Sequence, residues 1–509
     1  MPPSRWGSSC ADLLRRGRRT RKDPTLRSAP KIPVPPRPAV LCRATLLRSV
    51  ALLCLSFGFS AGLSPLDAQL FQRATVIENV TLRLDANRVI EGATIVIRGG
   101  RVAAIGRDVE KPMLSRTIDG GGGFITAGAI ATASQLALDP TRRASPQSRA
   151  WDGFDRYDED AMAVALSGGV TTVCLTPRGP AGIVGLASVV RLAPREGGGL
   201  GKVLAEEAAL CLDLGSSNSA LARLRTLTTV KKQFQAAVDY REARDLYDED
   251  LSAYLEALEK LKEGDEKKNA KGGSKGRPPS KAKPPAAKDA GDKKKEDPPK
   301  KPNEPRPRPD LEVLLRAIDR DLPVRVHAET SADILNAIAL ADEFGFALTL
   351  VGASEAHLVV DEIAAADAKV LIGPAPDGAA AERGIARRRP ADLPARLTAA
   401  EISWAMIPGP ALQELLPQAQ ALTAGSGGDP LRAITRDAAR ALGLSREGVL
   451  GRGGAADLVL WSGDPLTDPA ARVREVWVEG SSVFRSSLPA AKPTKSTEAG
   501  QKTEKREAL

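Results

Sequence analysis

The patterned part of this chain opens and closes on the same kind of segment, and that restricts its architecture more than any single residue does. Residues 74–109, ATVIENVTLRLDANRVIEGATIVIRGGRVAAIGRDV, alternate apolar and polar positions and break at Asp85-Ala86-Asn87 and at Gly99-Gly100. Period-two alternation between such breaks is the pattern of short antiparallel strands joined by tight turns. GRGGAADLVLWSGDP (451–465) and VREVWVEGSSVF (473–484) repeat it near the other end. Strands at both ends of a chain close into one small sheet domain, with the middle inserted between its halves.

That middle reads as strands alternating with helices. DEDAMAVALSGG (158–169) has helical spacing and runs into the apolar strand GVTTVCLTP (169–177). DLPVRVHAE (321–329) is a buried strand, followed by the helix SADILNAIALADEFG (331–345), with Ser331 as its expected N-cap. FALTLVGA, EAHLVVDEIAAAD and AKVLIGPA continue the alternation to residue 375, and EISWAMIPGP (401–410) is a last strand before two helices. Alternation over this length predicts a parallel barrel, for which about 250 residues is typical. The fold class is therefore α/β: a TIM-like (β/α)8 barrel with a small composite β-sandwich domain. The expected order is a leader over 1–69, the first part of the β domain over 70–125 and the barrel over 126–444. The second part of the β domain follows over 445–485, and a disordered tail over 486–509. A Lys/Pro-rich insert without apolar periodicity, 264–309, interrupts the barrel and reads as disordered.

The formal charge of +10 over 509 residues comes from outside the core. Residues 1–60 carry twelve Lys and Arg against Asp12 and Asp23, and the insert is also strongly basic. The remainder is mildly acidic, so the charge does not point to nucleic acid. SVALLCLSFGFSAGL (49–63) is shorter than the ~20 residues a membrane span needs and is flanked by Arg43 and Arg48. It fits the apolar region of a secretory signal, which predicts an exported protein, periplasmic or extracellular, without a transmembrane anchor. Only Cys174 and Cys211 lie beyond that leader; one bridge between them is left open, and there is no disulfide framework.

These pieces resemble the amidohydrolase superfamily, in particular its imidazolonepropionase-like branch. TIDGGGGFITAGAIATASQL (117–136) is similar to the family's entry into the barrel, and GVTTV (169–173) to its second strand. LPVRVHAETSADILNAIALADEFG (322–345) looks like the fifth strand and its helix, and GVLGRGGAADLVLWSGDPL with VREVWVEGSSVF resembles the closing segment. The resemblance implies hydrolysis of non-peptide carbon–nitrogen bonds by water held on zinc or another divalent metal. Such a metal lowers the pKa of its water from about 16 to about 7. It also implies where ligands stand: a His-x-His pair on the first strand, histidines on the fifth and sixth, an Asp on the eighth.

The chain holds only two histidines, His327 and His357, where the family uses four. His327 matches the fifth-strand ligand and is the one candidate metal residue, a vestige of the site. Ala133 and Gln135 stand at the first-strand pair, Gly352 at the sixth-strand position and Pro408 at the eighth; Lys202 is the candidate on the fourth strand, and His357 falls in the helix after the sixth. No metal or other cofactor is therefore expected. The reading that follows is a catalytically degenerate member acting as an exported binding or partner protein, its small molecule or protein partner and oligomeric state left open. The alternative is an active C–N hydrolase with a reduced site around His327, with Glu329 beside it.

Overall fold

The computed structural model describes residues 73–138, 145–177, 179–215, 219–271 (264–271 as backbone alone), 300–373 and 389–487. The leader lies outside these residues, as does the tail beyond Ser487. The strands of the two chain ends form one eight-stranded sheet in the order β16-β15-β14-β5-β1-β2-β3, with β4 beside β1. From the first end come β1 (Ala74–Arg83), β2 (Val89–Arg98), β3 (Arg101–Gly106), β4 (Ser115–Asp119) and β5 (Phe124–Ala127). From the second come β14 (Leu458–Trp461), β15 (Val473–Val478) and β16 (Ser481–Arg485). The ends meet where β5 and β14 pair antiparallel, Leu458 opposite Ala127 and Leu460 opposite Ile125. Alternate residues of these strands bury Ile77, Leu82, Ile95, Ile125 and Leu458 with Trp477 in one cluster.

The second sheet is the barrel, eight strands in chain order. They are β6 (Ala129–Ser134), β7 (Val170–Leu175), β8 (Gly182–Pro194), β9 (Leu200–Asp213), β10 (Val324–Ala328), β11 (Leu348–Gly352), β12 (Lys369–Ile372) and β13 (Trp404–Met406). The Thr132 hydroxyl on β6 donates to the Met406 carbonyl on β13, which nearly closes the ring. Helices α1 (Glu159–Ser167), α2 (Ala220–Lys271), α3 (Pro309–Ile318), α4 (Ser331–Phe344), α5 (Val360–Ala365) and α6 (Leu393–Ala399) precede α7 (Leu415–Thr423), α8 (Pro430–Ile434) and α9 (Arg436–Ala441). Val324, Val326 and Ala328 face outward into a cluster with Phe234 of α2, Leu314 of α3 and Ile334 of α4.

The barrel is not all parallel, as the alternation predicts. Strand β8 runs antiparallel to both β7 and β9. The links at 176–181 and 195–199 are too short for a parallel crossover, which needs a dozen residues or more, so they can only make hairpins. No helix covers β8 from within this stretch. Its outward Val190 and Leu192 instead share a cluster with Val473, Val476 and Val478 of β15, and Ile183 and Leu186 pack with α2.

Smaller differences follow from local chemistry. Thr330, not Ser331, caps α4: its hydroxyl accepts from the Asp333 amide, and Gly345 closes the helix at φ 79°. His357 sits in a 3-10 turn, Ala356–Leu358, rather than in the helix after it. The segment 264–309 is helical as far as Lys271 because α2 carries on through it, and α3 starts at Pro309. Cys174 and Cys211 are free and buried. They sit on β7 and β9 with β8 between, Cys174 opposite Val189 and Cys211 opposite Gly185, so more than two strand spacings of ~4.8 Å part them and they are beyond disulfide reach. No described helix is long and apolar enough to cross a membrane.

Candidate functional site

At the C-terminal end of the parallel strands, period-two alternation sends Arg325, His327 and Glu329 into the barrel while their neighbours face the outer helices. Register places His327 opposite Asp213, the last residue of β9, and Ala328 opposite Gly352, the last of β11. His327 is held from both sides: Nδ1 lies 3.2 Å from Asp213 Oδ1 and Nε2 lies 3.3 Å from Glu329 Oε1. Burial works against a charged ring, but hydrogen bonds and charge from Asp213 and Glu329 outweigh it and raise the pKa to about 10. The ring is therefore an imidazolium at neutral pH, with both N–H groups directed at carboxylates.

Glu329 is 4% exposed and fully engaged. Its Oε2 accepts from the Ser354 hydroxyl at 2.6 Å and from the Ser354 amide at 3.2 Å. Burial pushes its carboxyl up, but His327 and those two bonds bring it below the ordinary value. Glu355, 3% exposed, accepts from the amide and hydroxyl of Ser331 at the start of α4. Deeper in the barrel, buried Arg325 donates to the Thr132 carbonyl at 2.9 Å and to Cys174 Sγ at 3.1 Å, tying β10 to β6 and β7.

The other positions do not converge on His327 as a ligand set. Ala133 is half-buried near the end of β6 and Gln135 is exposed beyond it. Pro408 follows β13 and brings no carboxylate. Lys202 is at the opposite end of β9 from Asp213, bonded to Glu479 of the composite sheet at 2.7 Å. Gly352 is the most informative. Its φ is +91°, and a Cβ there would lie 2.2 Å from Glu329 Oε1 and 2.7 Å from Cδ. The space a sixth-strand side chain would need is occupied by the Glu329 carboxylate. Among the described residues no group of three or more His, Cys, Asp or Glu side chains is placed to hold a metal. The donors do not fit one: both nitrogens of His327 are engaged, and three of the other positions carry Ala, Gly and Pro.

Sequence reasoning identified His327 and its neighbour Glu329 but missed Asp213. The signal for Asp213 was its position at the end of a strand, and that strand was not recognised.

Residues 426–484 match the Amidohydrolase family. No curated protein matches the chain. An amidohydrolase structure from Thermotoga maritima superposes with a TM-score of 0.63 at 22% identity, covering 81% of this chain and 100% of that one. The N-isopropylammelide isopropylaminohydrolase of Burkholderia multivorans aligns at 15% identity over 81% of this chain and 98% of its own, with a TM-score of 0.42.

Proposed function

We infer that this chain, a protein of the amidohydrolase superfamily with a C–N-hydrolase-like fold, no longer works by metal-assisted hydrolysis and serves as an exported binding or partner protein. The observation that carries this reading is the Glu329 carboxylate in the space beside Gly352. A ligand site that had merely lost a side chain would leave room behind, and here a different, hydrogen-bonded structure has been built into the room. Asp213, His327 and Glu329 form a closed charge row that orients β9, β10 and the residues after β11 around the mouth. A hydrolase relying on His327 alone would need an unprotonated ring nitrogen facing the substrate. Two carboxylates claim both nitrogens, so the reduced-site reading is the less supported one. Export rests on the apolar run at 49–63 behind Arg43 and Arg48.

Metal analysis of the purified full chain tests the inference. Zinc, manganese and iron should each stay far below one equivalent after dialysis against buffer containing the metal. Retention of one or two equivalents, lost on His327→Ala, would overturn it.

A further inference from the structure

The opposite end of the barrel holds a feature that none of this uses. A cleft of about 1060 Å³ lies between the start of β9 and the edge of the composite sheet, and its walls are strongly basic. Arg191 and Lys202 are in it, as are Glu447 and Glu479, but these four neutralise one another. Arg191 bonds Glu447 at 2.5 Å and Glu479 at 2.7 Å, and Lys202 bonds Glu479 at 2.7 Å. That leaves Arg73, Arg98, Arg101 and Arg446, all exposed and lining the same space. None of these four guanidinium groups has a carboxylate partner among the described residues.

The placement of two of them is costly. Arg98 and Arg101 are direct cross-strand partners at the end of the β2–β3 hairpin, and like charges placed so repel. The turn between them, Gly99-Gly100, has φ of 57° and 71°, and a Cβ at Gly100 would meet Glu479 Cβ at 3.3 Å. The hairpin tip is thus seated against Glu479, an acid already shared by Arg191 and Lys202. Register adds a third charge: Thr75 pairs with Ile97, so Arg73 continues alongside the same turn. Positive charge in a concave, low-dielectric wall concentrates anions.

We propose that this cleft binds a compact polyanion, a small molecule carrying two or more phosphate or sulfate groups. Several guanidinium groups around one volume suit several anionic groups, because each can take a bidentate fork. The cleft is concave, so a flat lipid surface would touch only its rim. No aromatic side chain among its described lining offers a base a stacking platform, which sets it apart from a single-strand nucleic-acid groove.

Titration calorimetry on the full chain tests this, with tripolyphosphate and a multiply sulfated disaccharide as probes and orthophosphate for comparison. At least one polyvalent probe should bind ten times or more tighter than orthophosphate, and the tighter of the two identifies the phosphate or sulfate source. R98S/R101S should weaken that binding by ten times or more and flatten its salt dependence, with a melting temperature no lower than the parent's showing an intact fold. A variant lacking residues 272–299 should bind like the full chain. The proposal is overturned if neither probe outbinds orthophosphate, if R98S/R101S binds undiminished, or if removing 272–299 abolishes binding. Retention on phosphatidylserine vesicles with no response to either probe would also overturn it.

Discussion

Glu329 shows how one side chain can rewrite a site. It fills the space beside Gly352, takes a proton-bearing nitrogen of His327 and is held by Ser354. The consequence is measurable through His327, whose pKa stands at about 10 in the folded chain against about 6.5 for a free imidazole. Burial alone would pull the ring down, so the rise is due to Asp213 and Glu329. A pKa raised by folding stabilises fully below about pH 6.5 and stops doing so as pH climbs through 10. The urea midpoint of the protein should therefore exceed that of His327→Gln most near pH 6, with the gap narrowing toward pH 10. A gap that widens with pH would show a neutral ring. His327 could be identified from sequence because its segment resembles a known strand that carries a ligand at that position. That Glu329 would close the site could not, because nothing in the letters says that a carboxylate two residues on will turn into a glycine's empty Cβ position.

At the scale of elements, the least legible piece was the hairpin of β8 and β9. Every residue of β8 except the last is buried, so its sequence has no period-two alternation to read. An apolar run of that kind cannot be told from a buried helix by pattern alone. The flanking connections held the answer, since they leave no length for a crossover. Close approach marks the strand too: Gly185 has φ of +139°, and a Cβ there would lie 2.6 Å from the Ser148 carbonyl oxygen. The Leu186 amide donates to that same carbonyl at 2.8 Å, locking 145–149 onto β8. Gly185→Ala should cost about 1–3 kcal/mol through strain and displaced backbone. Chemical denaturation should show this as a lower urea midpoint with an unchanged slope; a stability equal to that of the parent would mean the segment at 145–149 is not packed there.

Across the whole molecule, the meeting of the two chain ends was legible because both carry the same alternation with turn residues at the breaks. What joins the resulting sheet to the barrel was not. Arg191 on β8 is 6% exposed and reaches Glu447 and Glu479, which lie 256 and 288 residues away in sequence, as well as Asp457 at 3.1 Å. Burial pushes the Asp457 carboxyl up, although Arg191 draws it back. Separations of that size leave no local trace. Removing one partner of a buried charge cluster strands the others, at a cost of about 3–5 kcal/mol. Arg191→Met should lower stability by that amount and broaden the thermal transition as sheet and barrel come apart. A sharp transition at an unchanged temperature would place the coupling elsewhere.

The reversed strand also sets an order in time. β7, β8 and β9 follow one another through short links and need only small loops to pair, whereas Trp461 finds Thr126 across 335 residues. Local pairings form early because little loop entropy opposes them, and distant ones wait. The strand that departs from the parallel plan is thus the first part of the barrel able to assemble, and the joining of the chain's two ends is the step that finishes the molecule.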